Sequence, residues 1–343
     1  MSRQAAHRKP STRIRAIAPI AILAALCALF ASIAIWQSAA SSNVSDYQPI
    51  PSTATIAAAP DDDYSIQLEF LSDIHLSGSD DEYSAHLETA LDDIDEQAHD
   101  SSVLCIAGDG IDSAKQVQYD QLKSILTHHG YTTPSSNLFV AIGNHECWGG
   151  QDETYAALRA AYMQNWGYDN VYHNMKVDDK IDLIALGSDQ SPAWWTHASF
   201  SSTELAWLER TLAADEQSGL LSIVVCHHPV AGTVNGSEAG QYGSESGIDN
   251  SADLLAVLQK HDNVVFVSGH THLDLTDEGA IFRAADGTGP LYVRDGAVAY
   301  LREATGEGGA SQGLYMTITS QTITIAARDF TDSVWLWKRV FFR

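Results

Sequence analysis

Five short polar clusters, each directly after an apolar run, contain the residues of this sequence that are best suited to chemistry. They are Asp73-Ile74-His75, Gly108-Asp109, Gly143-Asn144-His145-Glu146, His227-His228-Pro229 and Gly269-His270-Thr271-His272. Apolar runs of about four to eight residues that end in turn signals are typical of buried strands. In an α/β sheet, side chains at the carboxyl ends of strands converge on one crevice, so we expect the five clusters to meet in space.

The side chains in these clusters are the oxygen and imidazole groups that bind divalent metal ions. Asp73 and His75 stand two residues apart, so both leave an extended chain on the same side, and the last two histidines have the same spacing. Asp109 has two carboxylate oxygens and can bridge two cations, whereas Asn144 offers a neutral amide oxygen. Such a set suits a hydrolytic centre with two divalent metal ions, and Mn, Fe and Zn all accept these ligands.

The composition restricts the substrates that such a centre can take. The chain has 19 Lys and Arg residues against 44 Asp and Glu residues, a formal net charge of -25 at pH 7. This charge repels polyanions, so we expect no binding of long nucleic acids, and a nuclease acting on duplexes is disfavoured. Bound dications reverse the local potential, so a small phosphorylated substrate remains compatible with the acidic chain. The sequence does not indicate an oligomeric state.

The N-terminal part of the chain has the charge pattern of an exported protein. Residues 1–15 form a basic segment, and residues 16–36 are uncharged and apolar, long enough for a helix of about 30 Å. Because basic flanks stay cytoplasmic, we expect a membrane anchor with an extracytoplasmic domain. A cleaved signal peptide and secretion is the alternative. The apolar length favours the anchor, while the small residues at Ser38-Ala39-Ala40 favour cleavage.

The remaining chain divides into a linker and one domain. Residues 37–63 are rich in Ser, Ala, Pro and Asp and predict a flexible linker, which leaves residues 64–343 as the folded domain. There, runs of strand length alternate with segments of helical periodicity, which indicates a layered α/β fold. Strands that end at the five clusters are predicted at Ile66–Leu71, Val103–Ala107, Leu138–Ile142, Leu221–Val225 and Val264–Val267. Ser202 is the predicted cap of a helix with Glu204 and Glu209 on its exposed face.

Taken together, the clusters resemble the five motifs of the calcineurin-like metallophosphoesterases. The matching residues are Asp73-x-His75, Gly108-Asp109-x-x-Asp112, Gly143-Asn144-His145-Glu146, His227-x-Pro229 and Gly269-His270-x-His272. The resemblance implies a four-layer α-β-β-α sandwich of two mixed sheets flanked by helices, preceded here by one hydrophobic N-terminal helix. It implies one metal ion held by Asp73, His75, Asp109 and His272. The second metal ion would be held by Asp109, Asn144, His227 and His270.

The same resemblance implies a reaction. His145 corresponds to the family histidine that contacts the phosphate and protonates the leaving group as general acid. A hydroxide that bridges the two cations would attack phosphorus in line. From the residues themselves we add that the Asp112 carboxylate would favour the protonated state of His145. The expected activity is hydrolysis of a small phosphodiester or phosphomonoester. The alternative is a non-catalytic envelope protein that binds metal or phosphate on the same scaffold, against which the presence of Asn144 and His145 argues.

Two departures narrow the resemblance. Purple acid phosphatases carry a tyrosine where Asp112 stands and lack a histidine that corresponds to His75. The resemblance therefore implies that this chain has no tyrosinate–iron(III) centre. Its motifs are closer to those of family members similar to cyclic-nucleotide and glycerophosphodiester phosphodiesterases.

Four features outside the motifs allow two interpretations each. Trp194-Trp195 can stack on a nucleobase or sugar, or can be buried against the sheet. The Gly- and Ser-rich stretch 232–247 can close over the site as a lid or can be an ordinary loop. Cys105 and Cys226 can pack as free thiols or can form a disulfide in an oxidising compartment. The aromatic and basic stretch 334–343 can contact a membrane or can form a strand that packs on the core.

Overall fold

The computed structural model describes residues 64–97, 102–133, 136–149, 153–238, 247–284, 287–303, 306–308 and 310–343. The predicted basic segment 1–15, the apolar segment 16–36 and the linker 37–63 lie outside the described residues, as do residues 239–246 of the glycine-rich stretch. Within the part of the chain that is described, no helix combines the length and apolar character needed to cross a membrane.

The described residues form five α-helices and sixteen strands. The helices are α1 (Glu82–Gln97), α2 (Gln116–His128), α3 (Tyr155–Trp166), α4 (Ser202–Ser218) and α5 (Ser251–Leu258). The strands are β1 (Ser65–Leu71), β2 (Ser102–Ala107), β3 (Leu138–Ala141), β4 (His173–Val177), β5 (Ile181–Leu186), β6 (His197–Ala198), β7 (Leu221–Cys226), β8 (Gly247–Ile248), β9 (Val264–Ser268), β10 (Ile281–Phe282), β11 (Leu291–Arg294), β12 (Leu301–Glu303), β13 (Gly306–Gly308), β14 (Gln312–Thr319), β15 (Thr322–Asp329) and β16 (Val334–Phe342).

Two mixed six-stranded sheets form the centre of the molecule. The first has the order β16-β15-β14-β1-β2-β3, in which β1, β2 and β3 are parallel and the other three strands are antiparallel. The second has the order β10-β11-β9-β7-β5-β4, with four parallel central strands and an antiparallel strand at each edge. The edge strand β4 forms an antiparallel hairpin with β5.

The apolar residues sort into three layers of core. One layer lies between the two sheets and contains alternate residues of their strands, such as Ile66, Leu68 and Phe70 of β1. The second joins the outer face of the first sheet to α1, α2 and α3. The third joins the outer face of the second sheet to α4 and α5. The predicted α-β-β-α sandwich is therefore confirmed, because strands of period two fill the middle layer while helices cover both outer faces.

Strand direction determines where the motifs lie. Each predicted motif strand is observed, within one or two residues of its predicted bounds, and each is followed by its polar cluster. Since β1, β2 and β3 are parallel, the residues after them share one edge of the first sheet. The residues after β7 and β9 share the corresponding edge of the second sheet. Main-chain hydrogen bonds join these loops, from His75 N–H to Asp109 O at 3.1 Å and from Gly269 N–H to His227 O at 3.1 Å.

The start of helix α4 differs from the prediction. Ser201 is the cap, and its hydroxyl oxygen accepts the N–H of Glu204. Glu209 is exposed as predicted, but Glu204 is fully buried, and its carboxylate accepts the N–H of Gly187 at 3.1 Å. Burial raises the pKa of Glu204 well above its usual range. The prediction for Glu204 was wrong because leucine spacing alone cannot show that a neighbouring loop offers a buried donor.

Two other open questions are answered by the fold. Cys105 and Cys226 are free thiols, each buried in a different sheet, so they form no disulfide. The C-terminal stretch is the edge strand β16, with Trp335 and Trp337 buried, which is the strand alternative. At the end of that strand, the Arg343 guanidinium donates to the Tyr64 hydroxyl and to the carbonyl oxygen of Thr319.

Candidate metal centre

The five clusters meet at one place, where two groups of ligand-type side chains lie side by side. The first group is Asp73, His75 and His272, and the second is Asp109, His227 and His270. Within each group the potential ligand atoms all lie within 4.8 Å of one another, and all six residues are at most 9% exposed. The grouping follows the division between two cations that the sequence resemblance implied, and metal binding by these residues stays a prediction.

Close contacts define the first group. Nε2 of His75 lies 3.1 Å from Nε2 of His272, and the latter atom lies 3.1 Å from Oδ1 of Asp73. His272 Nδ1 is 2.9 Å from the carbonyl oxygen of Tyr300, to which it donates. That bond fixes the tautomer and directs Nε2 at the group, as an outer hydrogen bond does for metal-binding histidines.

The second group is built in the same way. Nε2 of His227 lies 3.0 Å from Oδ2 of Asp109 and 3.1 Å from Nδ1 of His270. Nδ1 of His227 donates to the carbonyl oxygen of Ala107 at 2.8 Å, which ties a residue of the second sheet to β2 of the first. His270 N–H donates to Oδ2 of Asp73 at 2.8 Å. The centre therefore spans both sheets and depends on their alignment.

Asp109 and Asn144 connect the two groups to the candidate general acid. Oδ1 of Asp109 accepts the main-chain N–H of His145 at 2.8 Å, which leaves its Oδ2 directed at His227. Oδ1 of Asn144 is buried and has no hydrogen-bond partner among the described residues. A buried amide oxygen without a donor is costly unless a cation satisfies it, so the donor set fits a metal site.

Strained backbone is concentrated at the centre. Among the described residues, eight non-glycine residues have a positive φ. Five of the eight are the ligand-type residues Asp73, His75, Asp109, His270 and His272, with φ between 50° and 70°. Such conformations cost roughly 1–3 kcal/mol each and persist where function requires them. The native state is thus destabilised by the backbone conformations that orient these side chains.

Glycines beside the ligands leave no space for a side chain. A Cβ at position 269 would lie 2.6 Å from Oδ2 of Asp73, and a Cβ at position 143 would overlap the Asp109 carboxylate. Gly108 has a φ of 89°, and a Cβ there would lie 2.7 Å from Cβ of His227. The group that approaches Gly108 most closely is thus the His227 side chain.

Charge at the centre is strongly coupled. Burial by itself raises the pKa of Asp73, but His272 and His227 outweigh it and hold that pKa below its usual range. The Asp109 pKa is likewise held well below its usual range, mainly by His227. Burial lowers the pKa of His227, but the Asp109 and Asp73 carboxylates raise it to about 10. The two carboxylates thus create a field that attracts positive charge, which a metal ion would supply.

His145 lies beside the centre and is oriented by the main chain. Its Nε2 is 3.9 Å from Oδ2 of Asp109, and its ring lies edge-on to His75 with 4.4 Å between centroids. Its Nδ1 donates to the carbonyl oxygen of Asp112 at 2.6 Å. The Asp112 carboxylate, predicted to influence His145, is 3.9 Å from Nδ1 and 47% exposed. The nearer partner of His145 is thus a carbonyl group that carries no charge.

A family comparison confirms the expected class. Residues 69–274, more than half of the chain, match the model of the calcineurin-like phosphoesterase family. The chain belongs to this family. A search of the curated proteins found no match.

Solved structures support the same fold. A dimetal phosphatase from Danio rerio aligns with a TM-score of 0.58 and 12% sequence identity, covering 81% of this chain and 98% of its own. The purple acid phosphatase PPD1 from yellow lupin seeds aligns with a TM-score of 0.57 and 16% identity, covering 82% of this chain and 54% of its own. Family membership makes this calcineurin-like phosphoesterase a hydrolase of phosphoester bonds, and its clustered histidines and aspartates are consistent with a dinuclear divalent metal site.

Two residues of the centre were not assigned a role from the sequence. The Glu146 carboxylate accepts the N–H groups of Asp109, Gly110 and Gly143 at 2.8–3.0 Å, so it holds the loops after β2 and β3 together. Ser72 donates to Asp73 Oδ2 at 2.6 Å. Glu146 stands within the Gly-Asn-His-Glu cluster, so its position was visible, but its three partners depend on the fold.

His228 and the tryptophans also approach the centre. The His228 ring lies 4.5 Å from that of His270, and its Nε2 donates to the carbonyl oxygen of Thr196. Trp194 and Trp195 are 57% and 50% exposed, which contradicts the alternative of burial against the sheet. Trp148, which was not singled out from the sequence, is 43% exposed and lies beside Trp195.

Proposed function

We propose that this calcineurin-like phosphoesterase hydrolyses small phosphodiesters or phosphomonoesters at a two-metal centre, with His145 as the general acid. The observation that carries this proposal is the pair of three-residue ligand groups with His145 beside them. Asp109 belongs to one group, and its second carboxylate oxygen fixes the main chain of the candidate acid. Asp109 thus links the candidate metal ligands to the candidate acid.

The residues divide the work between holding cations and moving a proton. Asp73, His75 and His272 would hold one cation, and Asn144, His227 and His270 the other, with Asp109 between them. When bound, two divalent cations activate water near neutral pH and offset negative charge on a phosphoryl group. In its charged form His145 has a proton on each ring nitrogen, and because the Nδ1 proton is bonded to the Asp112 carbonyl oxygen, the Nε2 proton is the one available for transfer. That proton can pass to the leaving-group oxygen.

We also propose that the chain is closer to the phosphodiesterase-like members of its family than to purple acid phosphatases. The support is chemical. Asp112 stands where a tyrosinate ligand would be needed, and His75 lies in the first ligand group, 3.1 Å from His272. A centre of carboxylate, amide and imidazole ligands fits Mn, Fe or Zn in the divalent state.

The first experiment tests metal dependence and ester class together. The protein is stripped of metal and assayed on bis(p-nitrophenyl) phosphate and on p-nitrophenyl phosphate, with Mn, Zn or Fe(II) added back. We expect activity that requires added metal and falls by about 100-fold or more in Asn144→Ala, because a ligand for one cation is lost. The ratio of the two rates then tests the proposed phosphodiesterase branch.

The control variant is Asn174→Ala. Asn174 bonds to Asp182 at the far edge of the second sheet, so its loss leaves the centre intact. Metal bound at two ions per chain without turnover of either ester would contradict the catalytic proposal. A rate on the monoester that greatly exceeds the rate on the diester would contradict the proposed branch.

A further inference from the structure

Two exposed indoles form a wall against the candidate general acid. The ring centroids of Trp148 and Trp195 lie 4.8 Å apart with an interplanar angle of 31°. Both rings meet the His145 imidazole edge-on, Trp148 at 5.1 Å and Trp195 at 5.6 Å. With side chains 43% and 50% exposed, they leave apolar surface in water that the core does not use. Such surface beside a catalytic group indicates a partner that covers it.

The loop that carries Trp195 is held in place from several directions. Ala193 N–H and His197 Nδ1 donate to the two carboxylate oxygens of Asp249 at 2.6 and 2.7 Å. The carbonyl oxygen of Thr196 accepts from His228, which itself packs on His270. Trp148 is fixed at its carbonyl oxygen by Ala114 N–H at 2.9 Å. The indole wall is therefore prepared in advance, and binding to it orders little further chain.

The position of the wall determines which part of a substrate meets it. A general acid works within hydrogen-bond distance of the leaving-group oxygen. Because the indoles surround the His145 ring, the group attached to that oxygen lies against them rather than over the metal ligands. Tyr300 extends the aromatic lining on the ligand side, with its ring 4.3 Å from His272.

We propose that Trp148 and Trp195 bind a planar aromatic group on the leaving alcohol of the substrate, as the base of a nucleoside. This inference rests on the proposed function and names its substrate class. The two indoles pack against each other with a tilt of 31°, and each is about half exposed, so one planar ring can stack on the ring face of the pair that remains in solvent. A cage for a quaternary ammonium ion would instead have separated rings around a central space. Stacking of bases on aromatic side chains tolerates different bases, so the wall selects a class and not one nucleotide.

The test compares two esters that differ only in the base. Adenosine 5′-monophosphate and ribose 5-phosphate have the same leaving oxygen and the same phosphate charge. In the full-length, metal-loaded chain we expect Trp148→Ala/Trp195→Ala to lower kcat/KM by about 10- to 100-fold for the ester with the base. The truncated ester should change by less than about threefold in the same variant.

Trp194→Ala is the matched control, since it removes a neighbouring exposed indole that is not part of the wall. The conservative variant Trp195→Phe should keep most of the wild-type preference for the ester with the base. An equal loss on both esters would show that the rings only support His145 and would overturn the proposal. Faster turnover of a choline ester than of its nucleoside counterpart would also overturn it.

A binding measurement separates this proposal from the proposed function. Adenosine monophosphate should quench the tryptophan fluorescence of the chain, ribose 5-phosphate should not, and the double variant should lose the quenching. If no ester is hydrolysed but this pattern of quenching is found, base binding by the two indoles is supported and the catalytic proposal is contradicted. If esters are hydrolysed but the paired ligands do not differ in rate or in quenching, the catalytic proposal is supported and base binding by the two indoles is contradicted.

Discussion

At the scale of single residues, His145 shows how the main chain can orient a side chain that is proposed to be the general acid. A carbonyl oxygen only accepts, so the Asp112 carbonyl fixes a proton on Nδ1 of His145 and leaves Nε2 toward the centre. The Asp112 carboxylate is half-exposed and 3.9 Å away, where solvent screens its charge. The orientation of His145 is therefore independent of the Asp112 side chain, and any electrostatic contribution from that carboxylate should be small.

Substitutions at these two residues should have different effects. With His145→Asn we expect kcat/KM to fall by about 100- to 10,000-fold for alkyl leaving groups, which need a proton, and much less for p-nitrophenyl. With Asp112→Asn we expect the alkaline limb of the pH–rate profile to move by less than about 0.5 pH unit. The measurement is kcat/KM over a series of leaving alcohols and over pH. Equal losses for all leaving groups in His145→Asn would exclude it as the acid.

At the scale of elements, strand β1 carries an acidic residue where its neighbours are apolar. Glu69 is fully buried on the face covered by helices, and its charge is felt by Cys105, Tyr131 and Tyr315. Burial is the main effect and raises the pKa of Glu69 to about 8, against an ordinary value of 4.5. The folded state therefore binds a proton that the unfolded state releases between these two pH values.

The sign of the consequence follows from proton linkage. Between about pH 4.5 and 8 the native state holds more protons at Glu69 than the unfolded state, so stability falls as pH rises, by at most about 1.4 kcal/mol per pH unit. Glu69→Gln should flatten this slope. The measurement is urea unfolding at pH 5, 6, 7 and 8, with the exposed Glu96→Gln on helix α1 as control. A slope in Glu69→Gln equal to that of the wild type would show that burial does not hold the proton there.

Elements also show which parts of the structure could be predicted from the sequence. The motif strands were predictable because their apolar runs end in turn residues, and parallel pairing then brings their ends together. The buried position of Glu204 was not, since it depends on an N–H group of Gly187 from another part of the chain. Trp148 contacts Trp195 only because two loops that follow strands of different sheets come together beside His145. A local sequence pattern contains no information about such a contact between distant segments. The short strands β6, β8, β12 and β13 escaped prediction for the same reason.

At the scale of the whole molecule, the net charge of -25 acts against polyanionic partners. The candidate metal centre lies in a chain in which acidic residues outnumber basic ones by more than two to one. The repulsion between this surface and an anion decays over a Debye length of about 10 Å at 0.1 M salt. A small ester enters through this layer with one or two charges, whereas a polynucleotide carries many charges along its whole length.

Salt should therefore affect the two kinds of ligand differently. We expect no measurable affinity for a labelled single-stranded oligonucleotide at either about 50 mM or about 200 mM salt. Proteins that bind nucleic acids by releasing counterions would instead bind at the lower salt concentration and lose affinity at the higher one. Hydrolysis of bis(p-nitrophenyl) phosphate should change by less than about twofold over the same range. Fluorescence anisotropy and the ester assay measure the two effects. Tight oligonucleotide binding at low salt that is lost at high salt would contradict the argument from net charge.

The contact between Arg343 and Tyr64 joins the first and the last residue that the structure describes. Because both ends lie at the start of β1, they are separated from Asp73 by the length of that strand, about 20 Å. A short link between residues 343 and 64 would therefore close the domain into a ring without crossing the crevice. Such a ring could be opened at an exposed hairpin such as Asp178–Asp179, and the five clusters would then occur in a different order along the chain. The geometry of the centre requires the clusters to be close in space, and it does not require the order in which they are now encoded.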